Sequence, residues 1–186
     1  MMEPILGYFK LAVEVDDILV EPNPPLFATD NSACFDLSAF LPITEPVKIY
    51  LPDNTIAHRY PMLSEKTCLY INPGERALVP TGLILDIPTG YSVRLHVRSS
   101  LALKAGLTLA NSEGVIDSDY VDEIFVLIYN RSTIGRTISI GERIAQAELV
   151  KSVLYKIEET KDRPSTKTNR TGKDPISKAG GRKAKG

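Results

Sequence analysis

The sequence predicts an all-β protein made of many short strands, one short helix and a flexible C-terminal arm. Three observations carry that expectation. Proline and glycine punctuate the 186-residue chain at short intervals, at Pro22 to Pro25, Pro42, Pro52, Pro73-Gly74, Pro88 to Gly90, Gly106, Gly114, Gly135 and Gly141. The runs between them are rich in Val, Ile, Leu, Thr and Tyr. No segment of about 12 or more residues sustains a helical period. Short strands with frequent turn signals read as a barrel or sandwich.

Residues 1–160 are expected to form the β domain. Within it, residues 43–70 make a long excursion, with Pro46, Pro52 and Asn54 as turn residues of a hairpin. "RALVPTGLILDI" (76–87) and "YSVRLHV" (91–97) follow as strands. "SLALKAG" (100–106) is the one helix candidate, with Ser at its start and Gly at its end. "NSEG" (111–114) lies between two apolar runs and predicts a β-hairpin. "EIFVLIYN" (123–130), "TISI" (137–140) and "RIAQAELV" (143–150) complete the strands. Residues 161–186 are almost free of apolar side chains and form a mobile arm.

Composition sets limits on function. The chain is 43% hydrophobic and 24% charged, an ordinary soluble balance with room for one domain and an arm. No apolar run approaches the roughly 18 residues of a membrane span. The N-terminus lacks a basic region followed by an apolar one, so a cytoplasmic location is expected. Cys34 and Cys68 suggest a reducing compartment, and with only His58 and His96 beside them a zinc site is not expected. The net charge of −1 hides an asymmetry. Residues 161–186 carry nine Lys/Arg and two acids, a charge of +7, while the rest carries −8. An acidic body with a basic tail points to a phosphate-bearing partner or to a solubilising tail.

Two stretches carry candidate chemistry. In "YSVRLHVRSS", Val93, Leu95 and Val97 alternate with Arg94, His96 and Arg98. Arg98, Ser99 and Ser100 then meet a helix start, which reads as a phosphate cradle or as a solvated strand with a serine N-cap. In "GVIDSDYVDEI" (114–124), Asp117, Asp119, Asp122 and Glu123 fall within seven residues. They read as a polar turn, a metal site or the home of a base. Tyr120 and Val121 break the calcium-loop pattern. Nucleophile-elbow, P-loop, dinucleotide-binding and zinc-deaminase motifs are all missing from the sequence.

The ordered motifs resemble those of the trimeric dUTP pyrophosphatases (dUTPases). "ATDNSACFDLSA" (28–39) resembles the first motif, "RSSLALKAGL" (98–107) the second, "NSEGVIDSDYVDEI" (111–124) the third and "IGERIAQAEL" (140–149) the fourth. "INPGERALVPTGLILDIPTGY" (71–91) matches the connecting framework. Cys34 and Ser100 stand where the family has Gly, and Val121-Asp122 where it has Arg-Gly. "NRTGKDPISKAGG" (169–181) stands in the place of the glycine-rich fifth motif and has no Phe.

The resemblance implies a distorted, β-barrel-like jelly roll assembled as a homotrimer with sites shared between subunits. It implies Mg²⁺-dependent hydrolysis of dUTP to dUMP and pyrophosphate. Asp117 would position water for in-line attack on the α-phosphate. Tyr120 would pack on the deoxyribose, and Asn111, Gly114 and the hairpin backbone would bind uracil. Arg98, Ser99, Ser100 and Gln146 would hold phosphates, with Arg170 and Ser177 added by the arm. Asp36 would support the Arg network or, through water, the Mg²⁺ shell, the metal being held mainly by substrate phosphates. Asp119, Asp122 and Glu123 are read as structural. Neither a membrane nor nucleic acid is expected as partner.

Two other readings stay open. A dCTP deaminase of the same superfamily needs a Glu where Leu127 stands, and leucine cannot shuttle protons. A non-catalytic dUTPase-like binding or regulatory module would use the basic arm to contact nucleic acid or another protein.

Overall fold

Among residues 3–161, which a computed structural model of the chain describes, the regular structure is seventeen short strands and one helical turn. The chain divides into two compact units, Met1–Val153 and Leu154–Gly186. Of the second, residues 154–161 carry no strand or helix and are exposed. Among the described residues no helix is long and apolar enough to cross a membrane.

Two five-stranded antiparallel sheets build the first unit. The first sheet runs in the order Leu107–Leu109, Phe125–Asn130, Arg76–Pro80, Val47–Tyr50, Ile56–Arg59. The second runs Gly114–Asp117, Tyr91–His96, Arg143–Lys151, Phe35–Ser38, Leu26–Phe27. Inward-facing residues of both, among them Ile49, Val79 and Ile128 from the first and Leu37, Val93 and Ala147 from the second, join one core with no exposed surface. Each buried Leu or Ile stabilises the sandwich by about 1.5–3 kcal/mol. The sheets pack as a jelly-roll-like sandwich and do not close into a barrel. The all-β expectation holds because the strands alternate. Arg76–Pro80, for example, buries Ala77 and Val79 and turns Arg76, Leu78 and Pro80 outward.

The excursion contains a hairpin. Val47–Tyr50 and Ile56–Arg59 pair antiparallel, and the Asp53 carboxylate closes their turn by accepting the Thr55 N–H at 2.9 Å and hydroxyl at 2.7 Å. The hairpin extends the first sheet beyond Arg76–Pro80.

The structure corrects two local expectations. The strands on either side of "NSEG" are not partners: Leu107–Leu109 pairs with Phe125–Asn130, and Gly114–Asp117 with Tyr91–His96. The turn is a crossover between sheets, and both of its strands are sheet edges. The short helix stands where expected, but its start is not a capped one. Ser99 and Ser100 open it, Leu101–Ala105 continues it as a π turn, Gly106 ends it at φ 65°, and Ser100 makes no capping bond with its side chain. So short a turn has no useful dipole, and the helix start is dropped from the phosphate cradle.

Candidate active site

The outer face of the second sheet collects most of the residues singled out by sequence. With Val93 and Leu95 turned into the core, Ser92, Arg94 and His96 share the opposite face, Ser92 buried there and the other two partly exposed. Register then fixes their neighbours. Asp36 lies opposite Gln146, and Gln146 opposite His96. Asp117 lies opposite Ser92. Four residues along Tyr91–His96 separate these rows, about 13 Å, and the Arg98 guanidinium is bonded to Asp36 in the far row. A single chain therefore does not bring Asp117 and the Arg98–Gln146 end to one phosphorus atom.

Asp117 ends its edge strand and is exposed. Its carbonyl accepts the Tyr120 N–H at 3.2 Å, and the Tyr120 hydroxyl donates to the Glu123 carbonyl at 3.0 Å. These bonds set the Tyr120 ring beside Asp117, 41% exposed. Both residues line a cavity of about 560 Å³ floored by Leu78, Phe125 and Leu127. A second cavity of about 270 Å³ shares Leu78 and Leu127 and brings in Asn111, Tyr50 and Arg76. The two cavities adjoin across Leu78 and Leu127, with Asn111 on one and Asp117 and Tyr120 on the other. Such adjoining cavities suit a flat base and a sugar. Gly114 is buried on the edge strand, and a Cβ there would stand 2.9 Å from the Leu95 Cβ, so its place is set by packing.

At the far end, Asp36 gathers two guanidinium groups. Its Oδ1 accepts from Arg98 Nε at 2.9 Å and its Oδ2 from Arg143 Nη1 at 3.0 Å. Both oxygens are thus engaged by cations, which makes Asp36 the centre of an Arg network. Among the described residues no group of three His, Cys, Asp or Glu could hold a metal. The donor set fits Mg²⁺ only as an ion carried on a ligand's phosphates. Ser99 and Ser100 are exposed beside Arg98. Burial, then the Glu148 and Asp36 carboxylates, pushes the Cys34 thiol up, so Cys34 is a poor nucleophile. Arg170 and Ser177 lie outside the described residues.

Glu123 is structural. Its Oε1 accepts the Gly82 N–H at 2.7 Å, at a glycine where a Cβ would meet Phe40 and Pro22 at 2.7 Å. Burial raises its carboxyl above the ordinary range, the Gly82 bond opposes that rise, and Glu45 adds to it. A raised carboxyl contributes stability that is present below the ordinary range and is lost as pH climbs through the folded value. Glu123→Gln keeps an oxygen for Gly82 and removes the buried charge. Its Tm at pH 7 is expected to be no lower than the parent's and up to about 4 °C higher. A clear drop in a thermal melt would mean that the ionised form is needed.

Sequence reasoning missed Arg143 and the cavity floor. Arg143 sits inside "GERIAQ", so its signal was present. The floor was hidden because "IFVLI" (124–128) is apolar on both faces, and alternation cannot be read from a run without polar residues.

A family model described as dUTPase matches residues 62–174. A deoxyuridine 5'-triphosphate nucleotidohydrolase of Agrobacterium fabrum is 38% identical over 143 residues, spanning 77% of this chain and 74% of that protein. The crystal structure of a dUTPase from Streptococcus mutans superposes with a TM-score of 0.59 at 25% identity, over 81% of this chain and 98% of the other. A mutant of the Staphylococcus bacteriophage 80alpha dUTPase with dUpNHpp shares the fold at a TM-score of 0.64 and 18% identity, over 93% and 97% of the two chains.

Proposed function

The chain belongs to the dUTPase family and is an enzyme of dUTP hydrolysis; on that premise we propose that it splits dUTP into dUMP and pyrophosphate by attack of an Asp117-oriented water on the α-phosphate. The observation that carries this reading is the Asp117–Tyr120 turn lining an apolar cavity that adjoins, across Leu78 and Leu127, the cavity of Asn111. Uracil would lie towards Asn111 and the crossover backbone, with the deoxyribose against Tyr120. A carboxylate accepts hydrogen bonds only, so Asp117 can align a water and take its proton. Arg98, Ser99, Ser100 and Gln146 would bind the phosphates, as cations and hydroxyls absorb charge in phosphoryl transfer. The Mg²⁺ of the reaction belongs to the substrate's phosphates, where it neutralises charge.

The separation of Asp117 from Arg98 supports a site completed by a second subunit, in a homotrimer. Val153, Leu154, Tyr155 and Ile157 are 78–89% exposed in the single chain, apolar surface of the kind that subunits cover. Arg170 and Ser177 in the arm 161–186 are proposed to close the site over the phosphates. The protein is proposed to act in the cytoplasm.

The test is a pyrophosphate-release screen over dUTP, dCTP, dTTP and UTP with Mg²⁺. Turnover of dUTP at least about 100-fold above UTP is expected, because a site shaped against the 2′-hydroxyl discriminates strongly. Ammonia release from dCTP, or no turnover of any of the four, would overturn the reading.

A further inference from the structure

We propose that Glu113, held by Arg94 and His96, is a positioning residue for base binding: it clamps the crossover that carries Asn111 onto the second sheet. The proposal deepens the dUTP reading and rests on it for the identity of the base.

Residues 110–113 pass from the first sheet to the second and are all exposed. Backbone fastens the two ends. The Ala110 N–H donates to the Leu127 carbonyl at 2.8 Å, and Gly114 pairs with Leu95. Between them the bonds are local, from the Ser112 N–H to the Leu109 carbonyl at 3.4 Å and from the Glu113 N–H to the Asn111 carbonyl at 2.7 Å. Ser112 stands at φ 63°, in the left-handed region that a non-glycine residue enters at a cost. A strained, exposed segment keeps one shape when its surroundings hold it there.

Glu113 supplies that hold. Its Oε2 stands 3.8 Å from Arg94 Nη1 and its Oε1 3.8 Å from His96 Nδ1. Among the described residues it is the one side chain of 110–113 with an ion pair or hydrogen bond outside the crossover. Arg94 and His96 are two apart on one strand, so they share a face and one carboxylate reaches both. Two partners fix the direction of the Glu113 side chain as well as its distance. The His96 ring is aimed in advance, because Glu148 holds its other nitrogen, Nε2 to Oε1 at 3.2 Å. Glu148 is also the cross-strand partner of Arg94.

The exposures say what kind of effect to expect. The side chains of Arg94 and His96 are 31% and 30% exposed and that of Glu113 51%. Ion pairs so open to water add little to the stability of a whole domain. Their effect here is on where the crossover sits, and with it Asn111, two residues before Glu113.

The experiment compares the full chain with Glu113→Gln, His96→Gln and the double variant. It measures dUTP kinetics with Mg²⁺, dUMP binding by titration calorimetry, thermal melts, and hydrogen exchange of the amides of residues 110–114. In Glu113→Gln, KM and the dUMP dissociation constant are expected to rise about 2- to 6-fold with kcat within about twofold, the pattern of binding lost equally from ground and transition states. Exchange of the crossover amides is expected to quicken on the same scale, and Tm to stay within about 2 °C. The double variant is expected to bind dUMP no more weakly than Glu113→Gln, because both changes open one clamp. Unchanged KM and dUMP affinity in Glu113→Gln overturn the clamp. Losses that multiply in the double variant overturn it too, since the two residues would then act apart. A parent protein that neither turns over dUTP nor binds dUMP removes the nucleotide reading, and exchange then decides the clamp: faster in Glu113→Gln supports it, unchanged overturns it.

Discussion

Asp117→Asn is expected to lower kcat for dUTP by about 10²- to 10⁴-fold, the range that a positioned general base supplies. KM and dUMP affinity are expected to change little. Asparagine has the shape of aspartate, and the turn is held by the backbone. The Asp117 carbonyl still accepts the Tyr120 N–H, and Gly114–Asp117 stays paired with Tyr91–His96. What is lost is the carboxylate charge that takes the proton, together with one of the two acceptor oxygens that align water. Steady-state kinetics with calorimetry of dUMP separate the two effects. Unchanged turnover would remove Asp117 from the reaction, and a matching loss of dUMP affinity would make it a binding residue. The proposed sharing of sites adds a second readout. Arg98→Ala is expected to be inactive by itself, yet refolding it together with Asp117→Asn should restore part of the activity. Mixed assemblies then pair an intact Asp117 with an intact Arg98 from different subunits. Recovery of nothing would place both residues of each site on one chain.

Legibility in the sequence followed the range of the interactions. Strands were readable where polar and apolar residues alternate, as in "YSVRLHV". The Asp117–Tyr120 turn was readable because all its bonds are local. The crossover at "NSEG" was not, because a turn signal shows that the chain changes direction and not which strand it meets next. Glu75 was missed for a similar reason. In "NPGER" it looks like one more polar turn residue, yet its partner Arg59 lies 16 residues away in the excursion. The joining of Asp36, Arg98 and Arg143 is longer in range still, 107 residues between Asp36 and Arg143.

Loss of the buried Glu75, just before the strand Arg76–Pro80, is expected to be strongly destabilising. Glu75 is 3% exposed. Its carboxylate accepts from Arg59 Nη1 at 2.7 Å and Nη2 at 2.9 Å, from the Asn72 N–H at 2.7 Å and from Asn72 Nδ2 at 2.9 Å. The Arg59 bond, ahead of the opposing burial and the Asn72 bonds, holds the carboxyl at about 2 instead of 4.5. Glu75→Ala leaves the Asn72 N–H without its acceptor and the Arg59 cation with only the Tyr70 carbonyl, a loss of about 3 kcal/mol. For a domain of this size that is a Tm fall on the order of 10 °C. The excursion hairpin loosens with it, because Arg59 is its link to Glu75. The sign with pH follows from the lowered carboxyl. Its contribution is complete above the ordinary value of 4.5 and is lost as pH falls towards about 2. The amount is about 3 kcal/mol over that window. Glu75→Gln retains an oxygen but has no proton to gain, so its stability should be flatter with pH than the parent's between pH 5 and pH 3 on an order-of-magnitude scale. Chemical denaturation of the parent and Glu75→Gln across that range reads the difference directly. Curves that run parallel would show that the Glu75 carboxyl is not held low by Arg59, and the gap between them at pH 7 would then measure shape alone.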